Sequence, residues 1–272
     1  MAQLDGIAGR FLALHRPGTP LLQPNAFDAG SARILAALGF EALATTSSGF
    51  AATLGRRDGN VSRAEALAHG GVLASAVDVP VAADTENGFA DDPDGVAEMV
   101  RLACDTGLAG VSVEDYTGRR GDPIYDAALA AERVRAAAEA AHRGPTQLVL
   151  TARAENHLHG RDDLADTIAR LQSYQEAGAD VLFAPGATTA AELRTLLASV
   201  DRPVNVLPRP GSPSVPELAG LGVARISVGG SFAWAAYAAV VTAATELRER
   251  GTYGYVDAVA AARDTISAAL TS

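Results

Sequence analysis

Three apolar segments of the chain run directly into acidic or charged residues. They are residues 81–86, 111–115 and 148–155. A short run of β-forming residues that ends on polar side chains is typical of a buried parallel strand whose end reaches one rim of a sheet. Three such strands in succession would bring Asp84, Glu86, Glu114 and Arg153 to a common mouth. Carboxylates beside an arginine suit a divalent cation and an anionic substrate, so we predict an enzyme.

The acidic residues predict a metal site. Asp84 and Glu86 are two residues apart, so in extended backbone their side chains point the same way, and Glu114 ends the next strand. Three carboxylates at one mouth repel one another unless a cation neutralises them. Oxygen ligands without nearby His or Cys favour Mg²⁺ (or Mn²⁺) over Zn²⁺. The alternative is that these carboxylates are helix caps and salt-bridge partners of arginines.

Two further side chains are candidates for holding the substrate. Arg153 has a planar guanidinium that suits a carboxylate or phosphonate. Its alternative is a salt bridge with Glu114 or Glu155, and the two roles are compatible. Asn205 interrupts the apolar segment 203–207, and a buried amide needs hydrogen-bond partners. Asn205 therefore either bonds a side chain of a neighbouring strand or faces the substrate.

The loops after the second and fourth predicted strands carry weaker signals. Thr46, Ser47 and Ser48 form a hydroxyl-rich turn that would offer hydroxyls and backbone N–H groups to an anionic oxygen, although such a segment is often only a turn. Asp58, taken alone, is typical of a turn residue. The loop at 116–125 has two adjacent arginines and is interpreted either as a mobile lid or as a solvated surface loop.

Strand and helix patterns alternate along the whole chain. Strand candidates lie at 20–25, 41–46, 79–84, 109–114, 147–153, 180–184, 203–207 and 223–228, and helical patterns near 28–38, 62–77, 91–106, 127–142, 161–177, 188–199, 214–220 and 230–249. Gly39, Gly107, Gly178 and Gly222 each follow a helical pattern and precede a strand, as in an αβ loop. We therefore predict a single (β/α)8 barrel of the TIM type over residues 1–272.

The turn after the first predicted strand argues against an open sheet, and the C-terminal segment predicts one more helix. A doubly wound open sheet would require a glycine-rich phosphate loop after its first strand, and residues 24–28 read Pro-Asn-Ala-Phe-Asp instead. An apolar-periodic segment at 256–270 predicts an extra helix beyond the eighth unit. That helix either caps its own barrel or packs on, or is exchanged with, a neighbouring subunit.

Composition narrows the chemistry and the partners. The net charge of −10 leaves no basic face for a phosphate backbone, which argues against nucleic acid. The sequence contains no lysine, since all 22 of its Lys and Arg residues are Arg. A mechanism that forms a Schiff base on a protein lysine is therefore excluded. The sequence has no recognisable signal peptide and no 18-residue apolar span, so we expect a cytoplasmic protein without a membrane partner.

The motifs, taken in order, resemble the isocitrate lyase/phosphoenolpyruvate mutase superfamily over nearly the whole chain. The matching segments are 24–32, 46–49, 54–55, Asp58, 84–89, 113–115, 152–153 and 227–230. The resemblance implies a barrel whose eighth helix is commonly exchanged between subunits, and therefore a homodimer or homotetramer. It also implies Mg²⁺ held, largely through water, by an Asp-x-Asp pair and a following Glu, at the positions of Asp84, Glu86 and Glu114.

The same resemblance assigns the remaining site residues. Asp58 matches an aspartate near the water shell of the metal, and Arg153 matches an arginine at the substrate carboxylate. Thr46, Ser47 and Ser48 match the turn around the substrate oxyanion. Arg153, Glu114 and Asp58 are thus the catalytic candidates.

Two departures from the superfamily pattern bear on the reaction. Glu86 replaces an Asp of the Asp-x-Asp pair. The lyases carry a gating loop with Lys-Lys/Arg-Cys-Gly-His, in which the Cys is the catalytic acid, and the mutase has a lysine there. In this chain the loop at 116–121 reads Tyr-Thr-Gly-Arg-Arg-Gly. Tyr116 and Tyr125 are the candidates that remain for a proton donor.

The expected reaction is cleavage of a C–C bond through a metal-stabilised enolate, by a lyase or decarboxylase of a small 2-oxo or 2-hydroxy di- or tricarboxylic acid. Decarboxylation fits better than isocitrate cleavage, because water can protonate a released pyruvate-type enolate. The alternatives are a phosphonopyruvate-type mutase or P–C hydrolase, and a non-catalytic 2-oxo-acid binding protein.

Overall fold

Eight parallel strands form one sheet in a computed structural model that describes residues 4–270. The strands are β1 (Leu21–Gln23), β2 (Leu43–Ala44), β3 (Val81–Asp84), β4 (Gly110–Glu114), β5 (Val149–Arg153), β6 (Val181–Phe183), β7 (Val204–Val206) and β8 (Arg225–Ser227). Each strand from β2 to β8 pairs with the next along the chain, and β8 pairs with β1. A bridge between Asn25 and Ala44 joins β1 to β2 and closes the ring. The predicted barrel is confirmed.

Helices separate the strands and cover the outside of the sheet. They are α1 (Gly6–Ala13), α2 (Ala29–Ala37), α3 (Ser47–Thr53), α4 (Arg63–Ala76), α5 (Pro93–Cys104), α6 (Ala127–His142), α7 (Leu164–Glu176), α8 (Ala190–Leu197), α9 (Val215–Leu221), α10 (Ser231–Arg250) and α11 (Tyr255–Leu270). Most begin at a side chain that accepts hydrogen bonds from the first turn, as Asp28 does for α2 and Ser62 for α4. The four glycines predicted in αβ loops all have positive φ.

All eight predicted strands and the nine predicted helices are present, with the strands one to four residues shorter than the patterns. Three elements were not predicted: α1, α3 and a 3₁₀ helix at Asn156–His159. Helix α3 corrects the interpretation of 46–48 as a turn. Thr46 is the N-cap, its hydroxyl accepting from the Gly49 N–H at 3.3 Å, and the chain continues as a helix from Ser47. The segment is too short and too rich in Ser, Thr and Gly for a helical period to stand out.

An apolar plug closes the end of the barrel where the strands begin. Helix α1 supplies Ala8 and Phe11, which pack with Leu4 just before the helix and with Val149 and other aliphatic side chains from the strand starts. A side chain at Gly110 would clash here, because a Cβ atom would lie 2.7 Å from the Val149 carbonyl oxygen and 3.1 Å from the Phe11 ring. The barrel interior is therefore apolar at this end. The polar residues begin one layer nearer to the carboxyl ends of the strands.

Asn25 ties the closing junction together. Its Nδ2 donates to the Thr45 carbonyl at 2.6 Å, and its Oδ1 accepts from the N–H groups of Val228 and Gly229 at 3.0 and 2.9 Å. One buried amide thus links β1 to the ends of both β2 and β8.

The two C-terminal helices stand largely outside the barrel. Within α10 only Ala233 is buried, and large apolar side chains such as Trp234, Val240 and Val241 are 56–64% exposed. Helix α11 confirms the predicted extra helix and contacts α2 of its own chain. Its exchange with a neighbouring subunit stays a prediction. No helix within residues 4–270 has the length and apolar character needed to span a membrane.

Candidate active site

A cavity of about 290 Å³ opens at the carboxyl ends of the strands. This is the end at which TIM-type barrels place their active sites. Its wall includes seven of the residues predicted from sequence: Thr46, Ser47, Ser48, Asp58, Asp84, Arg153 and Asn205. Further polar residues that line it were not predicted: Gln23, Asn25, Ser112, Thr151, Arg225 and Ser227. The predicted residues come together from five different loops and strands.

Arg153 is the centre of the charged cluster. Its Nη1 lies 3.0 Å from Asp84 Oδ1, and its Nη2 lies 2.9 Å from Glu114 Oε2 and 2.7 Å from Glu155 Oε1. Its side chain is only 15% exposed and also lies against the Phe183 ring. The predicted salt bridges are confirmed, and since Arg153 also lines the cavity it remains placed to contact an anion.

Glu155 belongs to this cluster and was not among the predicted site residues. It is 2% exposed, and its backbone N–H donates to Asp115 Oδ1 at 2.7 Å. Asp115 in turn accepts from Tyr174 at 2.6 Å and from Arg170 at 3.1 Å. A buried network thus fixes the ends of β4 and β5 from behind. The signal was available, because Glu155 follows Arg153 at a spacing that reaches the same rim.

The backbone does not stay extended from Asp84 to Glu86, as the spacing argument assumed. Strand β3 ends at Asp84, and Glu86 has a left-handed backbone with φ +47°. Residues 85–88 form a turn closed by a 2.8 Å bond from the Gly88 N–H to the Thr85 carbonyl. Asp84 lines the main cavity, whereas Glu86 lines a smaller adjoining space with Asp84 and His69. Alternation fails because the rule holds only while the strand continues.

The turn that carries Glu86 is held by Arg133. This buried guanidinium donates to the carbonyls of Asn87, Ala90 and Asp91 and lies 4.0 Å from the centre of the Tyr125 ring. A positive φ in a non-glycine residue is costly and persists only where its surroundings enforce it. Arg133 supplies that enforcement from α6.

The carboxylates near Arg153 carry more negative charge than one arginine balances. Burial, and then the charges of Asp84 and Asp58, raise the pKa of Glu86 to about 7. Burial raises the pKa of Glu114 well above its usual range, although Arg153 opposes the shift. Partial desolvation and Asp84 also raise the pKa of Asp58. Each of these carboxylates would be stabilised in its charged form by an added cation.

The direct ligand geometry is less complete than the residue types suggest. Residues 4–270 contain no group of three His, Cys, Asp or Glu side chains arranged to hold one metal ion. Asp84 is already engaged, because its Oδ2 accepts from the Ser47 N–H at 3.1 Å and its Oδ1 from Arg153. The acid cluster therefore suits a cation that keeps water among its ligands, as Mg²⁺ commonly does.

The loop at 116–125 is folded back on itself. Tyr116 bridges to Ile124, and the Thr117 N–H donates to the Pro123 carbonyl at 2.8 Å. The Tyr125 hydroxyl donates to Asp91, and the Tyr116 ring stacks on His159 at 3.9 Å. Among the described residues that line the cavity, neither tyrosine appears. The two proton-donor candidates are thus engaged elsewhere in this conformation, and lid movement stays a prediction.

Asn205 confirms one interpretation made from sequence, and its contact with a substrate stays a prediction. Its Oδ1 accepts from Arg225 Nε at 2.9 Å and its Nδ2 donates to Ser227 Oγ at 2.9 Å, so it bonds side chains of the neighbouring strand. It also lines the cavity. Its hydrogen bonds orient Arg225, which was not predicted as a functional residue because it lies between apolar neighbours in β8.

Comparison with known proteins places this site in a family. The family model described as phosphoenolpyruvate phosphomutase matches residues 11–248. The chain belongs to the phosphoenolpyruvate phosphomutase family. This confirms the resemblance to the isocitrate lyase/phosphoenolpyruvate mutase superfamily, whose members related to this chain are enzymes of the lyase and mutase types.

Similar proteins share most of their length with the chain. An uncharacterized protein of Mycobacterium tuberculosis (strain ATCC 25618 / H37Rv) is 36% identical over 80% of this chain and 81% of its own. The phosphoenolpyruvate phosphomutase of Streptomyces hygroscopicus is 31% identical over 91% of this chain and 82% of its own. A crystal structure of a candidate lyase/mutase from Burkholderia cenocepacia J2315 is 50% identical, with a TM-score of 0.93 over 98% of this chain and 96% of that one.

Proposed function

We propose that this member of the phosphoenolpyruvate phosphomutase family is a Mg²⁺-dependent lyase or decarboxylase of a small 2-oxo or 2-hydroxy di- or tricarboxylic acid. The observation that carries the proposal is the excess of acid around Arg153, which lines the cavity and contacts Asp84, Glu114 and Glu155. Glu86 and Asp58 add further carboxylates whose pKa values are raised. A divalent cation would balance this charge and allow an anionic substrate to enter.

The residues present fit Mg²⁺ with a partly aqueous shell. Asp84, Glu86, Glu114 and Asp58 are the residues that would hold it. When bound, Mg²⁺ (or Mn²⁺) would supply Lewis-acid polarisation of the 2-oxygen and the adjacent carboxylate of the substrate.

The remaining groups would bind and orient the substrate. Arg153 would donate to a substrate carboxylate from its position between β4 and β6, and its three acidic neighbours keep it charged. The hydroxyls of Thr46 and Ser48 lie at the cavity wall, 3.3 Å apart, and would contact an anionic oxygen. Leu158, Phe183 and Leu207 form the apolar part of the wall and would limit the access of water to the reacting carbons.

The lack of a lysine or cysteine acid in the loop at 116–125 bears on which bond the enzyme would cleave. The chain has no lysine, and its one cysteine, Cys104, lies on α5 rather than in the loop at 116–125. Release of CO₂ leaves an enolate that water can protonate, so it makes the smallest demand for a dedicated acid. This favours decarboxylation over isocitrate-type cleavage.

The phosphonate alternative remains a second candidate because the family model is that of a phosphomutase. A mutase or P–C hydrolase would place a phosphonate against Arg153. The lack of a lysine in the loop at 116–125 counts against it.

A substrate panel tests the proposal. Oxaloacetate, isocitrate, 2-methylisocitrate, 2,3-dimethylmalate and phosphonopyruvate would be assayed with Mg²⁺ and with EDTA, with detection of pyruvate, glyoxylate and phosphate. We expect metal-dependent product from a carboxylic acid. Phosphate release from phosphonopyruvate would instead support the hydrolase. Binding of a 2-oxo acid with Mg²⁺ but without product from any substrate would support a binding protein.

A further inference from the structure

A buried arginine without an acidic partner lies at the floor of the cavity. Arg225 begins β8, is 5% exposed, and lines the cavity. Its three hydrogen-bond partners are neutral: Asn205 Oδ1 at 2.9 Å, Thr151 Oγ1 at 3.1 Å and His15 Nε2 at 3.1 Å. Among residues 4–270, no carboxylate lies within salt-bridge distance of its guanidinium.

His15 acts as an acceptor here and not as a second cation. Its Nδ1 lies 2.9 Å from the Phe11 carbonyl, which requires a proton on Nδ1 and leaves Nε2 free to accept from Arg225. Burial, together with Arg225, lowers the pKa of His15 to about 3. The end of α1 thus orients the arginine without neutralising it.

An isolated buried guanidinium is unfavourable, and Arg225 shares the cavity with a second guanidinium, that of Arg153. Burial, and then the charge of Arg153, lower the pKa of Arg225 to about 9. A guanidinium has five N–H donors, and the three bonds to Asn205, Thr151 and His15 leave donors over. An anion in the cavity would satisfy both the charge and the remaining donors.

The depth of Arg225 distinguishes it from Arg153. Arg153 ends β5 and faces the acidic mouth, whereas Arg225 reaches Thr151, two residues earlier in the same strand. Two residues of strand correspond to about 6–7 Å along the barrel interior. The cavity is therefore acidic at the mouth, where a metal would sit, and basic at the floor.

We propose that Arg225, oriented by Asn205, Thr151 and His15, binds a second anionic group of the substrate at the cavity floor and selects two-ended acids over acids with one charged end. This inference rests on the proposed function, because it assigns the far end of the same substrate. The mouth holds the 2-oxo-acid end, and the floor holds the distal carboxylate. Asn205, predicted as a substrate-binding residue, acts mainly by positioning Arg225.

The test compares two ligands of nearly equal shape. Oxaloacetate and 2-oxobutanoate differ by a terminal carboxylate in place of a methyl group. Their dissociation constants would be measured by competition calorimetry with Mg²⁺ at low temperature, separately from turnover. We expect the wild-type chain to prefer oxaloacetate by roughly 10- to 100-fold, the range for a charge-assisted hydrogen-bonded pair.

Two variants remove the free cation in different ways. Arg225→Met deletes the charge, and we expect it to weaken oxaloacetate binding until the preference is lost, with 2-oxobutanoate affinity changed less than about twofold. Asn205→Asp keeps Arg225 and places a carboxylate against its Nε, so we expect the same loss of preference even if Arg225→Met folds poorly. Arg135→Met, on the exposed face of α6, is the matched control and should bind as the wild type does.

The outcomes separate this inference from the proposed reaction. If either variant folds and keeps the preference for oxaloacetate, or if the wild type binds both acids equally, the floor subsite is wrong even where Mg²⁺-dependent turnover is found. If the preference depends on Arg225 but no acid is converted, the subsite stands and the proposed reaction fails. If the wild type binds neither acid, the floor subsite is overturned, and the substrate panel decides the proposed reaction separately.

Discussion

Arg153 Nη1 and Asp84 Oδ1 lie 3.0 Å apart, although 69 residues separate them in the chain. The bond links the end of β5 to the end of β3 across β4, whose own terminal residue, Glu114, contacts the same guanidinium. Three neighbouring strands are thereby fixed at the rim by side chains as well as by backbone pairing. The rim that would carry the chemistry is also held together by the residues that would perform it.

Arg153→Met should damage both stability and activity. Removing the arginine leaves Asp84, Glu114 and Glu155 without their shared partner, and breaking a buried pair from one side typically costs about 3–5 kcal/mol. Activity on the substrate found in the panel should fall by roughly 100-fold or more. Urea denaturation and steady-state kinetics would measure the two effects. Arg101→Met is the control, because its pair with Glu98 is about half exposed and should contribute under about 1 kcal/mol.

Glu86→Gln should weaken Mg²⁺ binding without unfolding the chain. The substitution keeps the shape of the side chain and removes a charge that the cation would stabilise, so we expect a loss of roughly 10- to 100-fold in affinity. Titration of Mg²⁺ by calorimetry would check this. Glu98→Gln, on the exposed surface of α5, should titrate as the wild type does. Unchanged Mg²⁺ affinity in Glu86→Gln would contradict the role given to Glu86.

The stability of the metal-free protein should fall as the pH rises through about 7. The pKa of Glu86 is raised from an ordinary value of 4.5 to about 7, so between these values the folded chain holds a proton that the unfolded chain has lost. The contribution of Glu86 is most favourable below pH 4.5 and is lost by pH 8. Melting temperatures from pH 5.5 to 8.5 would show this slope, which Glu86→Gln should reduce. Added Mg²⁺ should stabilise more at pH 8 than at pH 6, because it then competes with no proton.

Arg133→Lys should affect the site from a distance. A lysine keeps the charge but cannot donate to the carbonyls of Asn87, Ala90 and Asp91 together, so the turn that holds Glu86 at φ +47° should relax. We expect Mg²⁺ affinity to fall by severalfold with a smaller change in substrate KM measured at saturating Mg²⁺. Equal effects on both would indicate general loss of structure instead of a positioning role.

The exposed apolar face of α10 should be covered in solution. Val240 and Val241 are 63% and 64% exposed, and neighbouring large side chains extend the patch, which is unusual for a monomer. We predict a homodimer or homotetramer, to be measured by light scattering during gel filtration. The double variant Val240→Glu/Val241→Glu should be smaller in solution, whereas Arg135→Met should not be. A monomeric wild type at micromolar concentration would contradict this prediction.

The barrel could be predicted from the sequence because most strands and helices have a recognisable hydrophobic pattern of their own. Runs such as 109–114 and 147–153 are mostly apolar and end on a charged residue, and glycines with positive φ mark the αβ loops. The rim residues Asp84, Glu114 and Arg153 were found by the same logic, since the end of a buried strand is the place where polar residues appear. Helix α1 was not predicted because it precedes β1 and so lies outside the alternation of strands and helices on which the prediction relied.

Local geometry was harder to foresee than architecture. The direction of Glu86 depends on a left-handed residue held by Arg133, which is 47 positions away in the chain. Arg225 could not be recognised from the local sequence. What distinguishes it is that its partners Thr151, Asn205 and His15, which are distant in the chain, are all uncharged. Such features depend on which residues three-dimensional folding brings together, and a single sequence does not display that.

The ring of strands is joined unevenly. Seven of its junctions are strand pairs, while β1 and β2 meet through the single bridge at Asn25 and Ala44 and through side-chain bonds of Asn25 and Gln23. Since Asn25 also lines the cavity, a ligand that contacts its amide would reinforce the thinnest junction of the barrel. Binding of such a ligand would then also reduce local opening between β1 and β2. Occupancy of the site would thereby make the whole ring of strands more rigid.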